Sequence, residues 1–161
     1  MERRILAGTI FLCTLIVGSF IALQLGFAPS NISFEEIEQG FYCGIKSRIN
    51  YVIKDLESWE TLWTDMNNIS TGIPDLPYVN FTYEVVFAVF LGEFVTGGYV
   101  AEITHITTSG NRLTIHIKEQ HPGEGCGVTM AFTQPYHIVK ASVNSTVSVE
   151  FEYNLVYNNY P

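Results

Sequence analysis

Glu84-Val85-Val86-Phe87-Ala88-Val89-Phe90-Leu91 is a glutamate followed by seven apolar residues. The run is too short to cross a membrane as a helix, and β-branched and aromatic side chains dominate it. A strand apolar at every position, rather than at alternate ones, is buried on both faces. This stretch therefore predicts a central strand, with something packed on each side of it.

Upstream, Trp59, Leu62, Trp63 and Met66 recur at i, i+3, i+4 and i+7. They predict an amphipathic helix over about Leu56–Asn67 that lays one apolar stripe on a sheet face. Asp55 or Ser58 suits its N-cap, and Glu57 and Glu60 suit the positive end of its dipole. Downstream, Gly110-Asn111 is a two-residue turn with glycine first. Pairing outward from that turn predicts a hairpin over 99–120, with Ile106 opposite Ile115 and His105 opposite His116. Leu113, Ile115 and Ile117 then share a face with Ile106, while Thr107 and Thr114 share the other with the histidines. Short segments at 41–45, Ile49–Ile53, 127–133, Tyr136–Ser142 and 146–156 also read as strands. Roughly seven or eight strands joined by short turns predict a mainly β domain over 41–156. It is an antiparallel β-sandwich or open barrel with one packed amphipathic helix.

The 161 residues suffice for one domain and an appendage. Hydrophobic residues make up 47% and aromatics 14%, which excludes a disordered chain. The net charge of −8 repels phosphate backbones and argues against nucleic-acid binding. Part of the apolar excess lies at the start. Residues 5–25 carry no charge and would make a helix about 31 Å long. Arg3 and Arg4 precede them, and no Lys or Arg follows until Lys46. This pattern predicts a transmembrane or signal-anchor helix in 1–27, with the rest outside the cytoplasm. A cleaved signal segment, and hence a secreted domain, is the alternative. Residues 28–40 read as a linker.

Four N-x-[ST] sequons, at Asn31, Asn68, Asn80 and Asn144, are glycosylation candidates in an exported chain. With Cys13 in the apolar segment, Cys43 and Cys126 remain as an even pair in an oxidising compartment, and a disulfide between them is expected.

Catalytic patterns are missing. The chain has no Gly-x-Ser-x-Gly, no His-Glu-x-x-His and no Cys-x-x-Cys. His105 and His116 would face each other across the hairpin, but no third metal ligand is assigned. The expectation is a protein that is not an enzyme, with no metal, no cofactor and no small-molecule substrate. Backbone punctuation stands out instead. Thr96-Gly97-Gly98-Tyr99 follows the buried strand, Pro122 and Gly123 to Gly127 form a glycine-rich loop, and Pro135-Tyr136 opens the next strand.

In this order, these segments resemble the PrcB C-terminal domain family, named after an accessory subunit of a bacterial surface protease complex. The pattern runs from the Trp59–Trp63 helix through the strand ending in Leu91-Gly92, the Thr96-Gly97-Gly98-Tyr99 turn and the loop at 122–127. It ends at Pro135-Tyr136-His137-Ile138-Val139. Val95 stands where that pattern has Pro, and Met130 where it has Gln. The resemblance implies a non-catalytic domain that binds or stabilises a secreted or surface protease. Its partner-binding residues would be Thr96, Gly97, Gly98, Tyr99, Pro122, Gly123, Gly125, Pro135 and Tyr136. The same loops are similar in order to those of chagasin-like cysteine-protease inhibitors, although Gln134 replaces their Arg. A direct inhibitor is therefore one alternative, and a structural envelope domain with no protease partner is another.

Overall fold

The computed structural model describes residues 28–69, 72–143 and 146–158. The expected anchor in 1–27 and the sequon at Asn144 lie outside them. No described helix is long and apolar enough to cross a membrane.

Among the described residues the chain forms eight strands and one helix. In order these are β1 (Ser30–Ile32), β2 (Phe34–Gly40), β3 (Ile49–Ile53), α1 (Leu56–Asn67), β4 (Glu84–Phe90), β5 (Val100–Ser109), β6 (Arg112–Pro122), β7 (Tyr136–Ser142) and β8 (Ser148–Asn158). They make two four-stranded sheets, β1-β5-β6-β8 and β2-β7-β4-β3.

The central strand lies as its composition requires. Val85, Phe87 and Val89 of β4 turn towards the other sheet and pack with Ile103, Ile106, Leu113, Ile115 and Ile117. Val86, Ala88 and Phe90 turn the opposite way and pack under Trp59, Leu62, Trp63 and Met66 of α1. The molecule is therefore a β-sandwich with a helix on one outer face. Asp55 caps α1 by accepting from the Ser58 N–H at 2.8 Å. The two indoles donate to the carbonyls of Pro77 and Pro74, both at 3.0 Å, which pins the following loop over the helix.

The hairpin pairs Ile106 with Ile115 and His105 with His116. A register shift at Thr104 changes the pairing beyond it. His137 of β7 meets the shifted region. Its Nδ1 accepts the Ile103 N–H at 2.7 Å, and its Nε2 lies 3.1 Å from Glu36.

Four expectations fail. Residues 28–40 are not a linker, because 30–32 and 34–40 are β1 and β2, paired to β5 and β7 in different sheets. Residues 41–45 and 127–133 form no strand, being tied instead by isolated loop bonds. The sandwich is not wholly antiparallel, since β8 runs parallel to β6. The intervening β7 lies in the other sheet and acts as the crossover that a parallel pair needs. The Cys43–Cys126 bridge is not formed, and both residues keep their thiols. Cys43 is in the core under α1, where its Sγ lies 3.6 Å from the carbonyls of Ile45 and Gln134. Burial pushes that thiol up to about 11. Cys126 instead directs its Sγ to the Asn158 carbonyl at 2.9 Å.

Candidate functional site

Beyond Phe90 the chain leaves the sheet, and three connections meet at that end of the sandwich. They are the segment after β2, the β4–β5 connection and the β6–β7 connection. Backbone bonds lock them together. Phe94 and Thr133 exchange N–H···O bonds at 2.8 and 2.9 Å. The Gly97 N–H donates to Thr129 at 2.9 Å, and the Gln134 N–H donates to Phe41 at 2.8 Å.

The Gly-Gly pair is explained by this crowding. Gly98 has φ +94°, and a Cβ there would lie 3.0 Å from Pro122 Cβ and 3.1 Å from Val128. Gly97 is buried against Thr129, whose hydroxyl a Cβ would strike. The turn at Thr96 is held from the other side, with the Thr133 hydroxyl donating to its carbonyl at 2.8 Å. Tyr99 stacks on Phe94 at 3.8 Å and meets the edge of His121 at 5.0 Å. His121 lies 2.7 Å from Glu119, which also accepts both Nη groups of Arg48. Those bonds, Arg48 first, hold the Glu119 carboxyl below its usual range. Arg48 also lies over the Tyr153 ring at 4.6 Å. Lys46 pairs with Glu93 at 3.1 Å, and Gln134 donates to the same carboxylate at 2.7 Å. Lys46, then Gln134, pulls the Glu93 carboxyl down.

The structure thus brings Thr96, Gly97, Gly98 and Tyr99 together with Pro122 and Gly123. Gly123 is buried and donates to the Asn158 carbonyl at 2.8 Å, which ties the loop to β8. Gly125 stands exposed, with φ +79° and open space around it. Pro135 and Tyr136 do not join this surface. Pro135 is buried, and Tyr136 is only 5% exposed. Its ring stacks on Phe90 at 5.8 Å, and its hydroxyl donates to Glu38 at 2.8 Å. Burial, then that bond, pushes the phenol well above its ordinary value. Gly40 is what admits the ring, because a Cβ there would lie 2.6 Å from the Tyr136 hydroxyl oxygen. Tyr136 is a core residue and no surface anchor.

Other side chains take its place. Val95 is 70% exposed, Met130 87% and Phe132 61%, and Phe41 and Tyr42 are exposed beside them in the chain's locked loops. Val95 and Phe132 immediately adjoin the Phe94–Thr133 bridge. Phe41, Tyr42, Gly97, Gly98, Tyr99 and Thr129 line a cleft of about 260 Å³. Phe41 and Tyr42 were hidden in the sequence because a strand there would turn one of each adjacent pair inward, whereas the loop exposes both. Val95 and Met130 did carry a signal, as the two departures from the family pattern.

The paired histidines lie elsewhere, on the outer face of the β5–β6 hairpin. Their rings stack at 4.0 Å. His105 Nδ1 lies 2.9 Å from the Thr104 hydroxyl, and His116 Nε2 lies 2.9 Å from the Thr107 hydroxyl. Among the described residues no group of three or more His, Cys, Asp or Glu could hold a metal ion.

No curated protein and no solved structure matches the chain. The tryptophan helix and β8 lie outside the stretch that a family model does match. Residues 85–142, from β4 to the end of β7, match the model described as PrcB C-terminal, the family that the ordered motifs resemble.

Proposed function

We propose that this protein is a non-catalytic binding module, membrane-anchored with its domain outside the cytoplasm, that serves as accessory to a secreted or surface protease. The observation that carries this reading is the loop end of the sandwich. There Phe41, Tyr42, Val95, Met130 and Phe132 stay exposed on loops whose backbones are locked to one another. Exposed apolar side chains on a rigid frame lose little freedom on binding, which suits them as contact anchors. Scattered exposed apolar residues need no explanation, but five on adjoining loops do. The PrcB C-terminal match covers the β4–β5 and β6–β7 loops and supports a protease-complex role.

The buried Pro135-Tyr136 weighs against the inhibitor alternative, which needs a third presented loop. The deciding experiment adds the purified full chain to its captured protease. An accessory module prolongs protease activity at 37 °C. Suppression of activity at micromolar concentration contradicts that role and establishes inhibition.

A further inference from the structure

A second surface lies away from the loop end. β3 is an edge strand, paired on one side only, to β4. Among the described residues no backbone bond reaches its outer side. An edge strand presents outward N–H and C=O groups at alternate residues, a template for one more strand. Here α1 stands alongside. The chain passes from Ile53 to Leu56 within a short turn, and the far end of α1 returns to the region before β3. The Gly44 N–H donates to Met66 there at 2.7 Å. The helix therefore runs antiparallel beside the strand, leaving a groove of about 450 Å³ between them.

The groove has a chemical character. Tyr51 and Ile53 form one wall, and Glu57, Thr61, Leu62 and Asp65 form the other. Leu62 closes the floor, buried in the core, while Glu57, Thr61 and Asp65 are exposed. These three follow at i, i+4 and i+8, so they make one stripe along the helix. Glu57 and Asp65 form no ion pair among the described residues. Eight residues of helix separate them by about 12 Å. In an extended strand, side chains at i and i+4 lie on one face about 13 Å apart. The two carboxylates therefore match two cations spaced i, i+4 on a strand added to β3.

We propose that the β3–α1 groove binds an extended peptide bearing two basic residues four positions apart, added as a strand to the free edge of β3. Main-chain bonds to β3 supply generic affinity, and the paired carboxylates select the sequence. This surface is separate from the loop end, and neither proposal depends on the other.

The test uses the full chain and a fluorescent peptide, acetyl-Thr-Lys-Val-Thr-Val-Lys-Thr-amide. A companion carries glutamate in place of both lysines. The lysine peptide is expected to bind at least tenfold more tightly than the glutamate peptide at low salt. The Glu57→Lys/Asp65→Lys variant, which changes only exposed side chains, is expected to reverse that preference. Amide hydrogen exchange is expected to slow within Ile49–Ile53 when the lysine peptide binds. Equal binding of both peptides overturns the proposal, as does binding without protection of β3. Protection of the same amides in a dimer without peptide overturns it too, and makes a second copy the occupant.

Discussion

β4 and the loop that follows it are contiguous in sequence and opposite in fate. From Val85 to Leu91 every side chain is buried. Four residues later Val95 is mostly exposed, as are Met130 and Phe132 on the neighbouring loop. Both regions carry apolar side chains, so the presence of such side chains alone does not separate them. Burial does: the first set holds the two sheets and the helix together, whereas the second contributes little to the fold and is available for contact. Substitutions should therefore split cleanly, with stability responding at β4 and binding responding at the loop end.

A matched pair of truncations separates the core strand from the loop end most sharply. Phe87→Ala empties a core site between the sheets and is expected to cost about 3–5 kcal/mol in urea unfolding. Phe132→Ala is expected to change stability by no more than about 0.5 kcal/mol while reducing partner capture. A Phe132→Ala cost like that of Phe87→Ala would erase the distinction.

A second pair separates locked from open loop backbone. Gly98 and Gly125 both have positive φ, but only Gly98 is crowded, by Pro122 and Val128. Gly125→Ala carries the left-handed penalty alone, about 1 kcal/mol, and Gly98→Ala adds displacement of its neighbours, at least about 2 kcal/mol in total. Equal costs would mean that the loops are not locked at Gly98.

A third concerns the joint between the sheets. His137 is neutral at Nδ1, where it accepts the Ile103 N–H, and burial holds it below its ordinary value of 6.5. Glu36, by its hydrogen bond and charge, and Glu102, by charge, act in the opposite direction more weakly. With the folded value below the unfolded one, the unfolded chain takes up this proton first as the pH falls. This contribution to stability is complete above about pH 6.5 and declines below it, by up to about 1.4 kcal/mol per pH unit for one proton. Urea midpoints measured between about pH 7.5 and 5 should show that decline, and His137→Gln should flatten it. The smallest effect is expected at the exposed Arg112–Glu150 pair, 3.1 Å apart, where Arg112→Ala should cost less than about 0.5 kcal/mol.

The sequence revealed those parts of the fold that depend on local period. The all-apolar run at 85–91, the tryptophan stripe of α1 and the Gly110-Asn111 hairpin each state their own burial, and each lies as expected. β1 and β2 did not reveal themselves. Phe34-Glu35-Glu36-Ile37-Glu38-Gln39-Gly40 is acidic, and its alternation is broken by a register shift between Glu36 and Glu38. It is a strand because β7 offers it an edge, which is a tertiary fact. The parallel β8 was hidden for a related reason, because sheet membership of β7 is not written in its own residues. At the candidate site, the glycine turn at Gly97-Gly98 was legible through backbone demands. Tyr136 was misread because an aromatic after proline looks like a loop anchor until Phe90 and Gly40 are seen to enclose it.

The proposed partner surface is the exposed apolar loop end. It is tested most directly by cross-linked capture from the native membrane, comparing wild type with Val95→Ser/Met130→Ser/Phe132→Ser at equal stability. The expected result is a protease enriched by wild type and reduced at least tenfold by the triple variant. Equal capture by both proteins would contradict it.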